Sequence, residues 1–354
     1  MDLAEAQLAL VDVMAGRRIA VVGDVVADEF IYGQVARVSR EAPVLILEFD
    51  STEVLPGGAG NAANNVAALG GRVALAAVVG QDEPGRRMIR ALHPRIDRSR
   101  LVRTSTHETP LKTRILAGGI HSAKQQVVRV DRGVRPVITP AVRTAFEATS
   151  LLAVHDCDAV LVSDYGHGLV TPAFLRRLKV AACADGPVPV LLDSRYRLLD
   201  YRGLTLSAPN ESEVEAALGV RINDDLTILE RAGRELLTRT KVGALLVTRG
   251  SRGMALFQPG ERTIHIPIHG SDEIADVTGA GDTVMATLTL ALACGASFEQ
   301  AARLANYAGG IVVMKRGTAT ISADELRAAV RAGAAREAVA PPAARTRRKA
   351  ARRG

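Results

Sequence analysis

The sequence predicts an α/β protein: a doubly wound, mostly parallel sheet flanked by helices, with a small inserted β-sheet lid. Three observations lead there. Short, nearly continuous apolar runs recur at 17–24, 72–80, 159–166, 188–194, 204–210 and 244–250, as strands buried on both faces do. Amphipathic segments lie between them, and that alternation lays helices over a parallel sheet. Two stretches, 43–51 and 111–132, read as strands with no helix between them.

In chain order, RRIAVVGD (17–24) is a strand ending in a turn. Residues 30–38 and PVLILEFDS (43–51) are strands of the small sheet, expected to be antiparallel. AGNAANNVAALGG (59–71) is a helix closed by Gly70 and Gly71. RVALAAVVG (72–80) is the next strand. LKTRILAGG through KQQVVRVDR (111–132) is a hairpin turning at Gly118 and Gly119, and with 30–38 and 43–51 it makes a lid over the body. Beyond it, helices are expected over 172–184, 211–218, 225–240, 280–294 and 298–315. One domain covers 1–338, and a basic tail, expected to be disordered, covers 339–354.

Composition narrows the function. The chain is 47% hydrophobic and 23% charged, which suits a globular protein. Trp is absent and aromatics are 3%, so stacking on bases is not the main binding mode. The three cysteines form no CxxC pair, which argues against a disulfide scaffold or thiolate metal site and suits a reducing, cytoplasmic home. The net charge of +7 falls to +1 without the six basic residues of 341–354. The plain reading of that tail is a solvated end, and the alternative is a grip on nucleic acid or an acidic partner. No apolar run approaches 18 residues unbroken, so no membrane span is expected. His265 and His269 lack a third ligand, and no directly bound metal is expected.

The strongest motif is DVTGAGD, Asp276 to Asp282, running straight into an apolar helix. Gly279, Ala280 and Gly281 put bare N–H groups at a helix N-terminus, where donors and dipole favour an anion. An acid at the same end, Asp282, suits a base that takes a proton from a hydroxyl attacking phosphate. An N-cap acid after a glycine turn is the structural alternative. The second motif is PGGAGNAANNVAALG, Pro56 to Gly70. Gly57 and Gly58 allow close approach of backbone to a ligand. Asn61 and Asn65, four apart, share a helix face and suit sugar hydroxyls. No GxxxxGK[ST] loop occurs, so any ATP-binding mode differs from that of P-loop enzymes.

These two motifs, in this order, resemble the signatures of the ribokinase, or PfkB, family of sugar kinases over roughly 15–330. Within it, VVGDVVADEFIYG, SREAPV, KTR, QQVVRVD, SDYGHG, APNESE and KRGTATIS are similar to the bacterial D-glycero-β-D-manno-heptose 7-phosphate kinases in their stand-alone form. The resemblance implies ATP-dependent phosphorylation of the C1 hydroxyl of a heptose 7-phosphate, giving the 1,7-bisphosphate on the way to ADP-heptose. It implies ATP and Mg²⁺ as cofactors, a K⁺ effect, a sugar phosphate as substrate, and a homodimer with lids at the interface.

It also implies residue roles. Asp282 is the base, and Gly279, Ala280 and Gly281 form the anion hole. Asp276 opens the motif near a monovalent cation. Asp28, with Asp24 beside it, binds sugar hydroxyls together with Gly57, Gly58, Asn61 and Asn65. Asn210 and Glu213 match the NxxE motif for Mg²⁺ and phosphate, while a helix capping box fits the same pair. Thr248, Gly250 and Gly253 flank the ATP phosphates, and Asn306 lies near adenine. Lys112, Arg114 and Arg129 alternate along the lid and could share a face toward a substrate phosphate, with Arg37 and Arg40 as further options. Asp164 and Asp193 end buried strands, where α/β ligands bind. His167 and Arg195 depart from the heptose-kinase pattern, which has Lys and Pro-Lys there.

Overall fold

In the computed structural model, which describes residues 3–118, 124–133, 136–270 and 276–339, the body is a nine-stranded sheet. From one edge to the other its strands are Ile264–Ile266, Met254–Phe257, Ala244–Thr248, Leu206–Ser207, Val190–Ser194, Ala159–Asp164, Arg18–Gly23, Arg72–Ala76 and Ile96–Asp97. All neighbours are parallel except the first two pairs. Strand alternation separates two cores. Ile19 and Val21 face the one that includes the helices Ala59–Ala68, Ala280–Ala293 and Phe298–Val312, whereas Ala20 and Val22 face Pro140–Ala153, Pro172–Ala182 and Leu226–Thr240. Helix starts are written locally: Thr139 and Thr171 each cap a helix with Pro at its first turn, and Ser297 makes a capping box with Gln300.

The lid is a separate four-stranded sheet in the order Leu45–Gly58, Val25–Val38, Leu111–Gly118, Gln125–Arg132. It is not wholly antiparallel as expected. Val25–Val38 pairs in parallel with Leu111–Gly118, because the chain passes through the body between them and returns in the same direction. Gly119, half of the expected hairpin turn, lies outside the described residues. Other expectations change too. The run 72–80 breaks into Arg72–Ala76 and Val78–Gly80, which pair in different sheets, and 204–210 shortens to Leu206–Ser207. Residues 340–354, most of the expected tail, lie outside the described residues, and the helix Ala323–Val339 crosses the boundary drawn at 338.

Candidate active site

The functional side chains gather at the carboxyl ends of the parallel strands, where the order reverses around Arg18–Gly23. That is where open α/β sheets leave a crevice. Gly23, Ser163 and Asp193 lie in register on three neighbouring strands, so Asp24, Asp164 and Asp193 arrive together. The body also has a cavity of about 680 Å³ at the opposite strand ends, lined by Arg18, Arg72, Arg95 and His155. Of the two motifs, only Gly70, the last residue of the second, lines it.

Asp282 stands in the first turn of Ala280–Ala293, 4% exposed. Its Oδ2 accepts from Asn61 Nδ2 at 2.8 Å and its Oδ1 from the Tyr165 hydroxyl at 3.3 Å. Burial, then the charge of Asp193, raises its carboxyl to about 7, against the lowering hydrogen bond from Asn61. Gly279 precedes the helix at φ +77°, and a Cβ there would sit 2.4 Å from Asn61 Nδ2. Among the described residues, the N–H groups of Gly279 and Gly281 have no protein acceptor. The third expected donor is a correction: Ala280 N–H closes a turn onto Val277 O at 3.3 Å. Asp276 spends its carboxylate on Thr278 N–H and Gly317 N–H, bracing the loop.

The glycine pair is needed for contact with two acids. A Cβ on Gly57 would lie 2.2 Å from Asp28 Oδ2, and one on Gly58, at φ +58°, would lie 2.6 Å from Asp24 O and 3.1 Å from the Tyr165 ring. Asp24 is buried beneath the Tyr165 turn, with Oδ2 accepting from the N–H groups of Tyr165 and His167 and Oδ1 unpartnered. Burial, then Asp164, lifts it to about 7. Three other proposed sugar ligands are corrected. Asp164 is 1% exposed and spends both oxygens on the fold, accepting from Gly166 N–H, Ser194 and Tyr201. Asn65 is fully buried, and Asn61 is 1% exposed. Their amides are spent on each other, on Ile321 N–H, on Gly279 O and on Asp282, which leaves them packed behind Asp282.

The lid cations do share a face by register: Lys112 opposes Asp131 and Arg114 opposes Arg129. They are not equivalent. Arg114 is buried and pairs with Asp28 at 2.5 Å over the Phe30 ring. Arg129 is exposed and pairs with Asp131. Neither is a free phosphate grip, which corrects two expectations. Arg37 and Arg40 are exposed. Lys112 has no carboxylate partner among the described residues and lies 5.0 Å from the Tyr165 ring centroid. Arg195 lies 4.7 Å from the same ring, also without an ion pair among the described residues. His167 is held neutral, pushed down to about 4 by burial, Lys112, His107 and Arg195. Tyr165 was missed from sequence, although SDYGHG contains it; a tyrosine at a strand end carries no local sign of which acid it meets.

Of the residues expected to meet ATP, Asn210 and Glu213 form the capping box of the helix Glu211–Leu218. A parallel bridge sets Asn210 beside Thr248, so that pair and strand end do meet. Burial, then Asp193, raises Glu213 to about 7. Gly250 opens a short 3₁₀ turn, Gly250–Arg252, and Gly253 ends it against Ile266 O. Asn306 is buried and donates to Pro267 O at 2.9 Å, which commits its amide nitrogen to the fold. Among the described residues no three His, Cys, Asp or Glu surround a cation position. Mg²⁺ usually keeps several waters and arrives with phosphates. Glu213 and Asp193 are neighbouring carboxyls, each pushed up mainly by burial.

The chain belongs to the pfkB family carbohydrate kinases, whose model matches residues 17–325. It is 41% identical over 310 residues to the bifunctional protein HldE of Geobacter sulfurreducens, covering 86% of this chain and 61% of that one. It is 43% identical over 316 residues to the HldE of Caulobacter sp. strain K31, covering 88% and 62%. The chain thus spans about three fifths of these relatives' length. The fold is that of Arabidopsis thaliana ribokinase, solved with ribose and ATP (TM-score 0.68, 21% identity, 89% and 99% covered), and of a phosphofructokinase-2 mutant from Escherichia coli (TM-score 0.70, 18% identity, 89% and 98% covered). Among the described residues no helix is long and apolar enough to cross a membrane.

Proposed function

We propose that this chain transfers the γ-phosphoryl group of ATP to the C1 hydroxyl of D-glycero-β-D-manno-heptose 7-phosphate, giving the 1,7-bisphosphate and ADP. The observation that carries the reading is Asp282, buried and oriented at a helix N-terminus whose Gly279 and Gly281 N–H groups are open. An ionised Asp282 takes the acceptor hydroxyl's proton as its oxygen bonds to the γ-phosphorus. The bond from that phosphorus to the bridging oxygen breaks, and ADP leaves with the electron pair. The open N–H groups meet the charge on the transferring group. Bound Mg²⁺ would neutralise charge across the β- and γ-phosphates, with Glu213 and Asp193 facing it.

The motifs shared with heptose 7-phosphate kinases support the sugar, and the HldE relatives support the lineage. The uncommitted cations Lys112 and Arg195, flanking Tyr165, support a phosphorylated substrate. Asp28 and Asp24 would take its hydroxyls. We place the reaction in the cytoplasm, with K⁺ raising its rate, and assign the chain a homodimeric state. A second reading, another sugar or sugar phosphate, is favoured by His167 and Arg195, which depart from the heptose-kinase pattern at this mouth.

The test is ADP release with MgATP against heptose 7-phosphate, sedoheptulose 7-phosphate, fructose 6-phosphate, ribose and fructose. Heptose 7-phosphate should turn over alone. Asp282→Asn should lower kcat at least about 10²-fold. Lys112→Ala should raise the sugar phosphate's KM about ten-fold, the loss of one charged hydrogen bond. Turnover confined to a neutral sugar would refute the phosphate grip.

A further inference from the structure

We propose that Asn65 is a positioning residue for Asp282, acting through Asn61 in a one-way amide relay that begins at the backbone N–H of Ile321. The inference rests on the reading of Asp282 as the acceptor's base. Five bonds define the relay. Ile321 N–H donates to Asn65 Oδ1 at 3.3 Å. Asn65 Nδ2 donates to Asn61 Oδ1 at 3.1 Å, and also to Asn61 O at 3.1 Å. Asn61 Nδ2 then donates to Asp282 Oδ2 at 2.8 Å and to Gly279 O at 3.3 Å. Every side chain in the relay is buried.

A backbone N–H can only donate, so the first bond sets the sense of all the others. With its oxygen on Ile321, Asn65 must offer nitrogen to Asn61. With its oxygen taken, Asn61 must offer nitrogen to Asp282. An amide can otherwise rotate by half a turn at little cost. A rotated Asn61 would set its oxygen against the carboxylate, an arrangement only a protonated Asp282 could satisfy. The relay therefore does two things at one atom: it aims the carboxylate, and it favours the ionised form that can accept a proton. It also ties three segments distant in sequence: the helix Ala59–Ala68, the start of Ala280–Ala293 and the residue before the cap Ser322.

The other groups facing Asp282 cannot substitute. Asp193 and Asp28 oppose its ionisation, Arg195 favours it, and the Tyr165 hydroxyl donates to the other oxygen. Asn61 is the closer of the two donors to Asp282, at 2.8 Å against 3.3 Å for the Tyr165 hydroxyl. Asn64, in the same helix, bonds Ala91 O and His93 N–H, away from the site. Position in the helix, not residue type, selects Asn65.

The experiment uses Asn65→Leu, Asn65→Asp, Asn61→Ala and the Asn61→Ala/Asn65→Leu double variant. Leucine matches asparagine in size and removes the relay. Aspartate keeps the acceptor for Ile321 but draws the Asn61 nitrogen toward itself, reversing the relay. Asn65→Leu should lower kcat about ten-fold, the effect of one hydrogen bond to a charged group. The KM values for sugar and ATP should hold. The double variant should be no slower than Asn61→Ala. The titration of Asp282, followed by carboxyl ¹³C NMR without substrate, should move to higher pH in Asn65→Leu and in Asn65→Asp. An unchanged titration in both would overturn the proposal, as would a raised sugar KM at constant kcat, which returns Asn65 to sugar binding. If Asn65→Leu fails to fold, Asn65→Asp decides alone. The NMR result stands even if no sugar turns over, so failure of the relay and failure of the kinase reading are separable.

Discussion

Burial holds the Asp282 carboxyl near 7, against an ordinary value of 3.8. A base must be ionised to accept a proton, so kcat/KM should climb through about pH 7 and level off above it. Stability should run the other way. Between 3.8 and about 7 the folded chain holds a proton that the unfolded chain has released, so this group's contribution falls as pH rises and is fully unfavourable above 7. The penalty at pH 8 is on the order of 2–4 kcal/mol. A neutral amide at this position carries none of it. Asp282→Asn should therefore melt several degrees above the wild type at pH 8, with the gap closing toward pH 4, measured by calorimetry. A gap that did not narrow on acidification would remove burial of charge as its cause. The position of Asp282 in the first turn of a helix was legible because DVTGAGD is local, an acid and small residues in one turn. Asn61 and Asn65 were legible only as a shared helix face. Which partner that face meets depends on segments more than 200 residues away.

At the scale of elements, the lid shows how register sorts like residues. Arg114 and Arg129 sit opposite one another, yet Arg114 is buried on Asp28 and Arg129 is exposed on Asp131. Removing one partner of a buried pair leaves a desolvated charge, whereas an exposed pair contributes little. Arg114→Met should destabilise the fold by about 3–5 kcal/mol. Arg129→Ala should change it by less than about 1 kcal/mol. Urea denaturation compares them directly, and equal losses would mean that Arg114 is not the charge partner Asp28 relies on. Alternation along 111–132 allows several of the cations to share one face, and the strand register sets Arg114 opposite Arg129. It could not say which were already neutralised, because Asp28 comes from a strand far back in the chain.

At the scale of the whole molecule, the lid sheet exposes Val35, Val38, Leu45, Phe49, Val127 and Val128, with Phe49 66% and Val38 60% exposed. An apolar sheet surface of this kind is what a partner covers. The homodimer we assign would use it, and Phe49→Glu should halve the mass seen by light scattering while leaving the far-ultraviolet circular dichroism intact. A wild type that is monomeric at high micromolar concentration would refute the dimer.

The amino-acid order was sufficient for the layered α/β body, the glycine turns and the placing of Asp282 at a helix N-terminus. These rest on apolar runs, helix caps and short motifs, which act over a few residues and need no partner to be recognised. Tertiary structure alone decided the parallel pairing inside the lid, the choice of Lys112 and Arg195 over Arg114 and Arg129 as free cations, the arrival of Tyr165 at Asp282, and the sense of the amide relay. The last three depend on which charge or hydrogen-bonding group is left unpaired after the chain has closed. That quantity is set by neighbours in space, and residue type and spacing do not contain it.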